Sequence, residues 1–271
     1  MIVVIKGAGD LASGIAFRLF HAGFTIAMTE IASPSSVRRT VSFSQAVYEG
    51  SCHVEDVNAV LVKNEMEAKE AWQKKQIAVF VDPRAAIAEK LQPRAIIDTI
   101  MAKRNTGTAI TDAPLVITVG PGFTAGVDCH AVIESQRGHT LGRVILDGCA
   151  LPNTGIPGEI GGHTADRLLR SPADGIFEAN ASIGDIVKKG DCVAQIHSDC
   201  SQASVITVRA EISGILRGLL PSGFAVKKGM KAGDIDPRCE REHCFTVSDK
   251  ALAIGGGVLE ALLRFNPGLR Q

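Results

Sequence analysis

The stretch Ile2-Val3-Val4-Ile5-Lys6-Gly7-Ala8-Gly9-Asp10-Leu11-Ala12-Ser13-Gly14 decides how the chain is read. Four apolar residues run into a glycine-bearing turn, after which Ile15, Ala16, Leu19 and Phe20 recur at helical spacing up to Gly23. That order is buried strand, turn, helix. A second strand, Phe24 to Thr29, ends on Glu30, eighteen positions after Ala12. Strand, Gly7-x-Gly9-x-x-Ala12, helix, strand and acid together have the spacing of a dinucleotide fingerprint. Gly7 permits the sharp turn, Gly9 lets a pyrophosphate approach the backbone, and Ala12 lets the helix lie close to its strand. The amides around Asp10 and Leu11 then face the phosphates. Glu30 is placed to accept from a ribose diol and to repel a 2′-phosphate, which favours NAD or another nucleoside diphosphate over NADP. The plainer reading is that the glycines serve only the turn and that Glu30 is a solvated strand end.

Strand and helix patterns continue to alternate after Glu30. Ala59 to Val62 and Ile77 to Val81 read as strands, Glu65 to Lys75 as an amphipathic helix, and Ala95 to Ile100 as a strand carrying Asp98 inside an apolar run. Such strand ends line the crevice of an open parallel sheet. From Asp98 to Arg143 the chain is more polar. It holds Lys103-Arg104-Asn105, the run Gly120-Pro121-Gly122-Phe123-Thr124-Ala125-Gly126, Asp128, His130, Glu134, Arg137 and His139. Glycines around a proline give a stiffened loop with exposed amides, a candidate anion cradle that Arg137 and His139 complete. Gly120, Gly122, Phe123, Arg137 and His139 therefore join Gly7, Gly9, Asp10, Leu11, Ala12 and Glu30 as cofactor-binding candidates.

Composition narrows the function classes. The 271 residues are 45% hydrophobic, with Lys plus Arg and Asp plus Glu balanced at 29 each. One Trp and one Tyr offer no stacking platform, so no nucleic acid partner is expected. No apolar run reaches membrane-spanning length, and Met1 opens directly into a strand; the expectation is a cytoplasmic protein with no membrane partner. Seven scattered cysteines do not suggest a disulfide framework. Cys239, His243 and Cys244 lack a second cluster and make a poor zinc signature, so no metal is expected. Cys129 is the only cysteine inside the polar stretch, but its neighbour His130 points to the opposite strand face.

The expected domains are a Rossmann-like nucleotide-binding domain over 1–150, a Gly/Pro-rich linker or lid over 151–170, a β-sandwich over 171–238 and a helical segment over 239–271. The sandwich rests on an internal repeat: Asp174-Gly175-Ile176-Phe177 followed by Val187-Lys188-Lys189-Gly190, then Ser213-Gly214-Ile215-Leu216 followed by Val226-Lys227-Lys228-Gly229. This repeat resembles the biotinyl/lipoyl-like sandwich (barrel-sandwich hybrid). Its hairpin, His197 to Ser204, has no lysine, so the resemblance covers the scaffold without the carrier function.

A wider resemblance spans Ile5 to Arg238. Gly7-Ala8-Gly9-Asp10-Leu11-Ala12-Ser13-Gly14, Ala102-Lys103-Arg104-Asn105, Gly120-Pro121-Gly122-Phe123-x-Ala125-Gly126-x-Asp128, Glu134-x-x-Arg137-Gly138-His139 and Gly229-x-x-x-Gly233-Asp234-Ile235-Asp236-Pro237-Arg238 are similar to the YqeB family, and more distantly to XdhC-type accessory proteins. The resemblance implies an accessory or maturation role for selenium-dependent molybdenum hydroxylases, with such an enzyme as partner and NAD or a pterin nucleotide (molybdenum cofactor) as the nucleotide-type ligand. The alternative is an NAD-dependent oxidoreductase acting on a small molecule, with His130, His139 or His163 as the proton relay. Selenium or sulfur transfer would need an accessible thiol of low pKa.

Overall fold

The computed structural model describes residues 1–156, 158–198, 205–266 and 268. It divides into two compact units, one of 1–34, 42–154 and 247–271, the other of 35–41 and 155–246.

The first unit is built on a nine-stranded sheet. Its elements are β1 (Ile2–Lys6), α1 (Asp10–His21), β2 (Thr25–Glu30), α2 (Ala46–Glu49), β3 (Ser51–Val54), β4 (Val57–Val62), α3 (Glu65–Gln73), β5 (Ile77–Val81), α4 (Ile87–Leu91), β6 (Ala95–Asp98), β7 (Val116–Val119), β8 (Thr124–Ala125), β9 (Ala131–Ile133), β10 (Val144–Ile145) and β11 (Gly148–Cys149). After the second unit the chain returns as α5 (Asp249–Phe265). The strand order is β10-β9-β7-β6-β1-β2-β5-β4-β3. The strands from β9 to β4 run parallel, whereas β3 and β10 are antiparallel to their neighbours.

Side chains alternate across this sheet. Val4, Ala27, Ala78 and Ile96 face α3 in one core cluster with Ala68 and Ala71. We call this the α3 face; Lys6 and Asp98 share it by alternation, and they pair in register. The other face takes Ile5, Ile97, Ile117 and Ile133. There Gly257 of α5 comes so close to β9 that an added Cβ would lie 3.0 Å from Ile133. We call this the α5 face.

Helices α1 and α5 pack on each other through glycine. A Cβ on Gly14 would stand 2.4 Å from that of Ala251, and one on Gly255 would stand 2.8 Å from Arg18. Glycine inside a helix costs about 0.5–1 kcal/mol relative to alanine, and close helix approach is what these glycines permit. The pairing of Gly14 with Ala251 and of Arg18 with Gly255 makes the helices parallel, so both N-termini sit at one level, near the carboxyl ends of the parallel strands. Ser248 caps α5 by accepting from the Ala251 amide at 3.2 Å, while the N-cap of α1, Gly9, makes no side-chain cap.

The second unit holds two four-stranded antiparallel sheets. One has the order β12 (Leu168–Arg170), β19 (Lys231–Asp236), β17 (Gly214–Leu219), β14 (Ile186–Val187); the other has β16 (Val205–Arg209), β15 (Cys192–His197), β13 (Gly175–Ala179), β18 (Phe224–Val226). Phe177, Val193, Leu216 and Ile235 are central to their shared core. The buried acids of β19 are matched by arginines: Asp234 by Arg167, Asp236 by Arg217 and Arg238. Burial works to raise the Asp236 carboxyl, but its hydrogen bonds from Arg238 and the charges of Arg238 and Arg217 hold it below the usual carboxylate range.

Two architectural expectations are corrected. The Rossmann-like reading requires a parallel sheet, and this sheet is mixed, because short antiparallel strands close both edges. Ser51–Val54 is too polar, and Val144–Ile145 too short, to register as strands in the sequence. Nor does a biotinyl/lipoyl-like sandwich simply follow a first domain. The second unit recruits 35–41 from between β2 and α2, where the Leu219 amide bonds the Val37 carbonyl at 2.8 Å and Arg39 Nε donates to the Leu219 carbonyl at 2.8 Å. The 151–170 linker is split as well: 155–170 belongs to the second unit, where Arg167 donates to the Gly158 carbonyl. The carrier-hairpin reading falls largely on 199–204, outside the described residues.

Candidate functional site

The carboxyl ends of β1 and β6 present different polar groups on the two sheet faces. On the α3 face, Lys6 Nζ donates to Thr108 Oγ1 at 2.5 Å, and Thr108 Oγ1 donates to Asp98 Oδ2 at 2.5 Å. Lys6 and Asp98 are 3.5 Å apart and nearly sealed from solvent, with side-chain exposures of 9% and 1%. Asp98 Oδ1 accepts from the Ile100 amide at 3.0 Å. Asn105 pins the loop that carries Thr108, accepting from the Gly107 and Thr108 amides and donating to Asp128. This network is closed and internally matched.

The α5 face is different. Thr99 extends the β6 ladder by one residue, its amide donating to the Lys6 carbonyl at 2.9 Å. Alternation turns its side chain to the α5 face, where Thr99 is 5% exposed and its hydroxyl has no hydrogen-bond partner. Beside it, Gly7 adopts φ +97°, and a Cβ there would stand 3.1 Å from the Thr99 carbonyl oxygen. The first hydrogen bond of the α1 ladder is Ser13 N–H to the Gly9 carbonyl. The amides of Gly9, Leu11 and Ala12 take no partner within the chain among the described residues. Unmatched donors of this kind, one beside a side chain as buried as Ala12 at 2%, need an outside acceptor.

Charged groups of both signs ring the two helix starts. Arg137 forms a bidentate pair with Asp249, at 2.6 and 3.0 Å. Burial, followed by the Arg137 guanidinium, pushes the Lys250 amine below the ordinary lysine value, against the opposing pull of Asp10, Glu134 and Asp249. Glu134 is itself held by the Gln136 amide at 2.6 Å and the Leu151 amide at 2.8 Å.

The structure brings Gly7, Gly9, Asp10, Leu11 and Ala12 to this place, and Arg137 reaches it through Asp249. Glu30 has a different task. Its carboxylate accepts from the Ala8 amide at 2.9 Å and from the Ile31 amide at 2.8 Å, so it holds the glycine turn from below. Gly120, Gly122 and Phe123 are closely packed against neighbouring segments. A Cβ on Gly122 would fall 2.6 Å from the Arg104 amide nitrogen, Phe123 is buried in its own cluster, and the Thr124 amide is taken by Asp128. The loop is packed on its own chain. His139 is exposed and lines a separate polar cavity of about 470 Å³ with Arg143, Glu260 and Arg264.

Cys129 is buried, and burial pushes its thiol above the ordinary value, so it is not the accessible low-pKa thiol that transfer chemistry needs. His130 accepts from the Val116 amide through Nδ1 at 3.0 Å, which makes it a structural acceptor. Among the described residues, no three His, Cys, Asp or Glu side chains gather as a metal site, and no helix is long and apolar enough to cross a membrane.

Fold and site together define an α/β protein whose open polar groups lie where a strand, a glycine turn and two parallel helix starts meet. No family model matches the chain. It is 51% identical over 262 residues to a protein of Escherichia coli K12 described as uncharacterized protein YqeB, covering 97% of this chain and 47% of that one. The match supports the YqeB resemblance. The chain spans about half the length of this relative.

Solved structures match weakly. An aspartoacylase family protein from Mesorhizobium loti is 14% identical with a TM-score of 0.30, covering 86% of this chain and 84% of that one. A succinylglutamate desuccinylase from Silicibacter is 14% identical with a TM-score of 0.26 over the same shares, 86% and 84%. Product-bound ectoine utilization protein EutE from Ruegeria pomeroyi is 12% identical with a TM-score of 0.25, covering 78% and 57%. The expected maturation role and its oxidoreductase alternative are corrected from the chain's own geometry, in which the Cys129 thiol is buried and pushed above its ordinary value. Within the chain, the engagement of Glu30 by two amides removes the ribose acceptor on which the dehydrogenase reading leaned.

Proposed function

We propose that the first unit is a small-molecule binding domain that takes an acceptor-oxygen group at the start of α1. Two observations carry this reading: the buried, partnerless hydroxyl of Thr99, whose backbone lies against Gly7, and the unmatched amides of Gly9, Leu11 and Ala12 that follow in the same turn. In an open α/β sheet, ligands settle outside the carboxyl ends of the strands, where neighbouring connections diverge. β1 is flanked by β2 on one side and by β6, much later in the chain, on the other.

The charges select among acceptors. Helix N-termini favour anions, but Asp10 and Asp249 stand in the first turns of α1 and α5 and oppose a high negative charge. Arg137 and Lys250 offset them. A carboxylate, or the singly charged phosphate of a diester or pyrophosphate, suits this balance better than a phosphate dianion. NAD and a pterin nucleotide both contain a pyrophosphate or phosphate ester and are natural members of the test set.

Calorimetry on the full chain with acetate, inorganic phosphate, dimethyl phosphate, NAD and a pterin nucleotide tests the reading. At least one phosphate-diester or carboxylate compound should bind, and Thr99→Val should weaken it about tenfold, the equivalent of one hydrogen bond of ~1.4 kcal/mol. Absence of binding by the whole set, or equal affinity in wild type and variant, would sink the proposal.

A further inference from the structure

A second concavity lies farther along the same sheet edge, at the carboxyl ends of β4 and β5. It measures about 620 Å³ and is walled by Leu61, Val62, Phe80, Val81 and Ile87, with Lys63, Asp82, Glu89 and Lys90 around it. That volume is in the range of small-molecule sites, which combine apolar walls with a few polar groups. One wall is a strained turn. Ala85 adopts φ +55° without being glycine, and backbone strain of this kind costs on the order of 1–3 kcal/mol and gathers at ligand clamps. The turn is held by the Ala85 amide bonding the Asp82 carbonyl at 3.1 Å and by Asp82 Oδ2 accepting from the Ile87 amide at 2.8 Å. Val81, at the strand end, is 43% exposed, an apolar side chain left open at the mouth.

The cavity is tied to the α1 start through the backbone. The Asp82 amide donates to the Glu30 carbonyl at 2.9 Å, and the Glu30 carboxylate holds the Ala8 amide at 2.9 Å. From β6, which carries Thr99, to β5 the sheet steps through β1 and β2. At about 4.8 Å per strand the axes of β6 and β5 lie roughly 14 Å apart.

We propose that this cavity receives the planar, largely apolar ring of the same ligand whose acceptor-oxygen group is held at α1, the ligand passing over the carboxyl ends of the strands, so that the ligand class is an aromatic or nucleobase-like ring joined to an oxyanion. The inference rests on the reading above for the oxyanion end, but the ring end has its own test. The apolar walls take a flat ring, and the short rim of two lysines and two acids leaves its polar edge in water. A simple carboxylic acid would leave these walls unfilled.

Saturation-transfer NMR and calorimetry on the full chain, with adenosine as an uncharged ring probe and dimethyl phosphate, a singly charged diester, as an oxyanion probe, separate the two ends. Ala86→Trp fills the cavity from an exposed position, and Val81→Glu places a charge at its mouth; thermal denaturation of both verifies the fold. Adenosine should bind the wild type and lose at least tenfold in affinity in both variants, while dimethyl phosphate affinity stays within twofold. No adenosine binding to the wild type, or unchanged binding in a folded Ala86→Trp protein, overturns the ring site whatever dimethyl phosphate does. Loss of dimethyl phosphate alone in Thr99→Val, with adenosine unaffected, supports the division of the ligand into two ends.

Discussion

The two faces of one strand pair, β1 and β6, end in opposite ways. On the α3 face, Lys6, Thr108 and Asp98 satisfy one another out of solvent; on the α5 face, Thr99 and the first amides of α1 have donors to spare. A buried ion pair with complete hydrogen bonds fixes geometry and offers nothing to a ligand, whereas unmatched donors cost stability until something binds. The difference separates a polar group that holds the sheet end from one that is available for recognition.

The sharpest way to break the comparison is on the closed side. Asp98→Ala leaves Lys6 buried without its carboxylate and should destabilise the protein by about 3–5 kcal/mol, read from urea unfolding; a loss below about 1 kcal/mol would mean that water enters and the network is open after all. Next comes the loop that the sequence offers as an anion cradle. Gly122→Ala combines φ +107° with a Cβ 2.6 Å from the Arg104 amide nitrogen, so a loss of at least 1–3 kcal/mol, roughly the scale of strained backbone, is expected from the same measurement.

The open side should respond with the opposite sign. Thr99→Val removes a buried hydroxyl that has no partner, and the ligand-free protein should gain about 1 kcal/mol while binding weakens. A loss of stability would show that the hydroxyl is already bonded, to an ordered water for example. Lys250 gives a pH signature. Its folded value is lowered, so the unfolded chain binds the proton more tightly, and stability should rise with pH through the window that ends at the ordinary lysine value. Lys250→Met should flatten that rise in a pH series of unfolding midpoints. The smallest effect is expected for Arg137→Ala. Arg137 and Asp249 are 43% and 71% exposed, and such pairs are worth about 0–1 kcal/mol; a larger change in thermal midpoint would place Arg137 deeper in the site than its pairing with Asp249 implies.

Much of the strand-turn-helix opening is legible in the sequence because it is local. Gly7 does take a left-handed backbone, the helix does begin after Gly9, and Glu30 does close its strand, whereas the strand expected over Ala95 to Ile100 stops at Asp98. What those acids do is not legible. Glu30 bonds the turn 22 residues back and Asp98 bonds Thr108, and nothing in a spacing pattern distinguishes a carboxylate that holds backbone from one that awaits a sugar. Lys250 and Thr99 escape notice for another reason. Lys250 joins the site only because α5 lies along α1, and an orphan hydroxyl is defined by the partners around it. A signal was present in Gly255-Gly256-Gly257, an unfavourable run inside an apolar helix that asks for a close neighbour.

That helix packing sets a schedule for synthesis. α1 is completed at His21, yet the surface its Gly14 fits is made only with Asp249–Phe265, after all of 155–246 has been translated. At about 5–20 residues per second, the amino-terminal helix waits on the order of 12–50 s for its mate. Over that interval the nascent chain holds an exposed apolar groove beside a growing sheet, and ribosome-bound chains stalled before Ser248 should be the ones that recruit chaperones.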